Sequence, residues 1–75
     1  MALVKSIIKG KKDKESIHKT TECKYFIINT PDGKYLQLDT YGSKDRKILS
    51  KTSQSIQFDM EAIKELKIII NTYFK

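Results

Sequence analysis

The stretch from Ser53 to Phe74 changes periodicity at one residue, and that change limits what the rest of the chain can build. Ser53-Gln54-Ser55-Ile56-Gln57-Phe58 alternates polar and apolar residues with the period of a strand. Asp59 follows, a residue type whose side-chain oxygen caps unpaired backbone N–H groups at a helix start. Glu61 falls in the first turn, where the helix dipole favours a carboxylate. From Met60 the period is helical, with Ala62, Ile63, Leu66, Ile69, Ile70, Tyr73 and Phe74 on one broad stripe. Met60 and Ile68 lie outside that stripe, and Ile68 stands nearly opposite Leu66. A helix apolar on two sides packs against two things. One is its own sheet; the other, in so short a chain, is expected to be a second copy. Met60, Lys64 and Ile68 are the expected dimer contact.

With 75 residues the chain is expected to form one domain over 1–75, with a sheet over 3–58 and the helix over 59–74. At this size a single core supplies only about 3–5 kcal/mol, so small folds add disulfides, a metal or a partner subunit. Cys23 is the only cysteine and His18 the only histidine, which excludes an internal disulfide and a zinc-ligand pattern. Association is the staple that remains, and no cofactor is expected. A lone cysteine fits a reducing compartment, so a cytoplasmic location is expected. Leu3 to Ile8 is too short for a signal peptide and is broken by Lys5 and Ser6. No apolar run approaches the length of a membrane span.

Before the helix the chain reads as strands. Leu3 to Lys9 is expected to be an edge strand, and Gly10 to Lys14 a charged turn. Ser16 to Asn29 ends in Tyr25-Phe26-Ile27-Ile28, which predicts a strand over its second half. Thr30-Pro31-Asp32-Gly33 is a strong turn signal. Lys34 to Tyr41 alternates: Leu36 and Leu38 point to the core, and Tyr35, Gln37, Asp39 and Tyr41 to the other side. Gly42 to Thr52 reads as a basic loop. Short connections predict an α+β fold in ββββα order, an antiparallel meander of about four strands with the helix across one face.

The net charge is +6, and its placement matters more than its size. Twelve Lys/Arg oppose six Asp/Glu between Met1 and Phe58, whereas three oppose three from Asp59 onward. The positive excess therefore belongs to the sheet and its loops, which suggests a polyanion on the sheet side. Tyr35, Tyr41 and Tyr25 lie on predicted strands, with Gln37 among them and Lys24, Lys34, Lys44, Arg46, Lys47 and Lys51 nearby. Rings that stack on unpaired bases and cations that follow phosphates are the mixture that binds single-stranded nucleic acid. The structural alternative is that the tyrosines pack against cross-strand neighbours with their hydroxyls in water.

Catalytic patterns are weak. His18 has no nucleophile or carboxylate placed beside it by a recognisable motif. Cys23 lies beside Lys24 but reads as a small strand residue. Pro31-Asp32 followed by Asp45-Arg46-Lys47 matches the loose metal-site pattern of restriction-type nucleases. The hairpin turn already explains Pro31-Asp32, and the chain is short for such a core. The reading is therefore non-enzymatic.

From Gly33 to Ile70 the chain resembles the positive cofactor four family of transcriptional coactivators. The family's strand-to-helix pattern, Ile-Ser-Leu-Asn-Pro-Glu and then Leu-Lys, meets Ile56-Gln57-Phe58-Asp59-Met60-Glu61 and Leu66-Lys67 without a gap. Its Gly-Lys turn meets Gly33-Lys34, and its strand tyrosine meets Tyr41 with one deletion. Its basic loop corresponds in character to Lys47 to Lys51. Two of its aromatic positions hold Pro31-Asp32 and Gly42 instead, with Tyr35 or Tyr25 to take their place. The resemblance implies a four-stranded sheet and helix, a dimer formed through the helix, and single-stranded DNA bound on the sheet. The expected function is thus nucleic-acid binding, with DNA favoured over RNA, in transcription or in replication and repair. The alternative is a small interaction module whose basic face meets an acidic protein.

Overall fold

The computed structural model describes residues 1–41 and 52–75. Four strands, β1 (Ala2–Val4), β2 (Cys23–Thr30), β3 (Gly33–Tyr41) and β4 (Thr52–Phe58), precede one helix, α1 (Met60–Tyr73). The architecture is α+β in ββββα order. The sheet order is β1-β4-β3-β2, with β2-β3 and β3-β4 antiparallel and β1 parallel to β4.

The expected meander holds for β2 to β4 and fails at β1. The predicted strand over Leu3 to Lys9 contracts to Ala2–Val4 and joins the far edge of the sheet instead of pairing beside β2. Residues 5–22 are long enough to carry the chain from one sheet edge to the other, as a parallel pairing requires. Two contacts hold that path. Asp59 N–H donates to Val4 O at 3.2 Å, and Ile7 N–H donates to Glu65 Oε1 at 2.6 Å.

Asp59 does what its residue type predicts. Its backbone stays extended while Oδ1 accepts from Ala62 N–H at 2.9 Å, so strand becomes helix across this one residue. Lys5 Nζ lies 3.7 Å from Asp59 Oδ2 and ties β1 to the same point. The helix lies against β3 and β4. Leu36, Leu38 and Phe58 face it and are half-buried, as are Ile63 and Leu66 on the helix, and Ala62 is fully buried. Strand alternation and the helix stripe assign Leu36, Leu38, Ile56, Phe58, Ile63, Leu66 and Ile70 to the core, and of these Ile56 and Ile70 are exposed. Lying against β3 and β4, the helix leaves the helix side of β2 open, with Tyr25 70% and Ile27 52% exposed. Among the described residues no helix is long and apolar enough to cross a membrane.

Candidate nucleic-acid interface

The sheet face away from the helix is set by one hairpin. Thr30 pairs with Gly33 across the two-residue loop Pro31-Asp32, and Thr30 Oγ1 accepts from the N–H groups of Asp32 and Gly33 at 3.2 and 3.1 Å. That closure fixes every later pair: Ile28 with Tyr35, Phe26 with Gln37, and Lys24 with Asp39. Residues opposite one another in an antiparallel ladder share a face, and alternate residues face opposite ways. Lys24, Phe26, Ile28, Tyr35, Gln37 and Asp39 therefore occupy the side away from the helix. Gln57 and Ser55 join them from β4, opposite Gln37 and Asp39.

A hydrogen-bonded line runs across this face. Gln57 Nε2 donates to Gln37 Oε1 at 2.8 Å, and Gln37 Nε2 donates to Asp39 Oδ1 at 3.0 Å. Thr52 Oγ1 reaches Asp39 Oδ2 at 3.5 Å. Asp39 is buried, 8% exposed, and these donors accompany the burial of its carboxyl group. At the end of β3 a register shift follows Thr40, and Tyr41 pairs with Thr52. Lys24 Nζ stands 5.4 Å from the centre of the Tyr41 ring, so this ring and this cation share the open face. Thr21 Oγ1 donates to the Tyr41 carbonyl and holds the preceding segment against the strand end.

The structure thus brings together Lys24, Tyr35, Gln37 and Tyr41. It separates two residues expected beside them. Tyr25 pairs with Leu38 and falls on the helix side. Lys34 alternates with Tyr35, and a depression on the helix side is lined by Lys34 with Ile27, Leu36, Met60, Ile63 and Lys67, and at its edge by Tyr35 as well. Lys44, Arg46, Lys47 and Lys51 lie outside the described residues, as does Asp45 of the nuclease-like pattern. Met60, Lys64 and Ile68 are exposed on the helix, with Lys64 Nζ 3.8 Å from Glu61 Oε2.

Phe26 is the residue that sequence reasoning missed. It is 42% exposed, opposite Gln37 and two residues from Lys24 on the same strand. In Tyr25-Phe26-Ile27-Ile28 every residue is apolar, so alternation assigns no face. Counting back from a two-residue Pro31-Asp32 loop would have set Phe26 beside Gln37 and Tyr25 beside Leu38.

His18 and Cys23 are exposed, and Cys23 Sγ lies 3.7 Å from Lys24 O. Among the described residues no group of three His, Cys, Asp or Glu side chains stands together as metal ligands. Comparison with family models, with curated proteins and with solved structures returns no match for this chain.

Proposed function

We propose that this protein is a non-enzymatic binder of single-stranded nucleic acid, DNA in preference to RNA, acting as a homodimer. The observation that carries the reading is the sheet side away from the helix, where, among the described residues, Tyr35 and Phe26 flank Gln37 and Lys24 stands at the half-buried Tyr41 ring. Unpaired bases present flat surfaces to such rings, and a duplex hides those surfaces. Asp39 at the centre repels phosphate, so bases lie over the middle of the sheet and the backbone passes Lys24 at its margin. The resemblance to the positive cofactor four family supports a role in transcription or in replication and repair. The exposed, unpaired Cys23 supports a reducing, cytoplasmic setting.

The homodimer rests on exposed apolar area. Met60, Ile68, Ile70, Tyr73 and Phe74 on the helix are exposed together with Tyr25 and Ile27 on β2. A second copy packed on the helix side would cover them and leave the ligand face open.

Fluorescence anisotropy with single-stranded DNA, duplex DNA and RNA of equal length tests the reading. Affinity should be highest for single-stranded DNA and fall linearly in a log–log plot against salt. Absence of salt-dependent affinity for every oligonucleotide at low salt would overturn it and leave an acidic protein as the partner of the basic face.

A further inference from the structure

We infer that the line Gln57–Gln37–Asp39 is a polarised base-reading device that favours guanine in the bound strand. The inference rests on the single-strand reading above and names what that face selects. A carboxylate only accepts hydrogen bonds, whereas a glutamine amide offers a donor at one end and an acceptor at the other. Asp39 therefore fixes the direction of the whole line. Gln37 must turn its Nε2 to Asp39 Oδ1, which leaves its Oε1 to face β4. Gln57 must then turn its own Nε2 to that oxygen. Gln57 Oε1 receives no donor among the described residues, so an acceptor is held ready at the β1 end of the line.

That end is a small depression of about 290 Å³ lined by Met1, Ala2, Leu3, Gln37, Ser55 and Gln57. Leu3 and Met1 supply apolar wall, and Gln57 and Ser55 supply a polar edge. A flat heterocycle fits this division, with its face on the aliphatic side chains and its N–H edge on Gln57 Oε1. Guanine presents two adjacent donors, N1–H and the exocyclic amine, and a carbonyl oxygen has two lone pairs to receive them. Thymine presents a single ring N–H. Gln57 makes the contact; Asp39 is a positioning residue that acts through Gln37.

The test compares wild type, Gln57→Leu and Asp39→Asn by anisotropy on three oligonucleotides. These are all-thymine, alternating thymine–guanine, and the same alternating strand with hypoxanthine, which lacks the exocyclic amine, in place of guanine. Wild type should bind the guanine strand about 3- to 10-fold more tightly than the hypoxanthine strand, the range one lost hydrogen bond produces. Gln57→Leu should remove that preference. Asp39→Asn should also remove it, because an asparagine amide lets the line reverse. It should lose affinity for the guanine strand only, and bind the all-thymine and hypoxanthine strands no more weakly than wild type, since a negative charge is gone. Salt-dependent binding of all-thymine DNA with no guanine preference in wild type would overturn this inference alone. A preference that survives Asp39→Asn would overturn the fixed direction of the line. Failure of all three oligonucleotides to bind would overturn the nucleic-acid reading, and this inference with it.

Discussion

Replacing Tyr41 or Lys24 with alanine separates stacking from charge on the same few square ångströms of the sheet. In the free protein the Lys24 ammonium sits 5.4 Å from the centre of the Tyr41 ring, an exposed contact of about 0.7 kcal/mol. A base that stacks on that ring contributes about 2 kcal/mol. Where the base takes the face that the ammonium held, the difference is what Tyr41 adds to binding, about 1.3 kcal/mol, or close to tenfold. Tyr41→Ala should therefore weaken single-strand binding about tenfold at every salt concentration. Its salt slope should match wild type, because the displaced Lys24 still reaches phosphate. Lys24→Ala should instead lower the slope by about 0.7, the value of one phosphate contact on a single strand. Between 50 and 200 mM salt, wild type should then lose about 2.6-fold more affinity than the variant. Anisotropy titrations at four or five salt concentrations, with folding checked by circular dichroism, give both numbers. A flattened slope for Tyr41→Ala with unchanged low-salt affinity would refute the assignment of roles. Two unchanged variants would show that the ligand lies elsewhere.

The remaining predictions concern the scaffold. Asp59→Ala removes the cap on Ala62 N–H and the Lys5 contact, and should cost about 1–2 kcal/mol, or roughly 4–16 °C in Tm; Asp59→Asn, which keeps a capping oxygen, should recover most of it. Equal losses in the two variants would assign the effect to the ion pair instead. Leu66→Ala should cost about 2 kcal/mol, the low end for a large-to-small change because Leu66 is half-buried, and an unmoved melting curve would mean the wrong helix face is packed. Ile68→Asp should convert a dimer to monomer in sedimentation at micromolar protein, and wild type sedimenting as a monomer would defeat the homodimer proposal.

Much of this protein was legible locally. The passage from Phe58 through Asp59 into Met60 could be read because capping and the change of period involve neighbours in sequence. The Thr30–Gly33 hairpin and the two faces of β3 were readable for the same reason, since a short turn and clean alternation leave one arrangement. The location of β1 was not readable. Leu3 and Val4 suit any sheet edge, and their pairing with β4 depends on a contact more than fifty residues away in the chain. The faces of Tyr25 and Phe26 were ambiguous because an unbroken apolar run carries no period-two signal; only the register of β2 against β3 decided them. The Gln57–Gln37–Asp39 line joins two strands and takes its direction from a carboxylate. It exists only once the ladder has brought those side chains within hydrogen-bonding distance. Residue types alone set which groups could donate and accept; the cross-strand register decided which of them met.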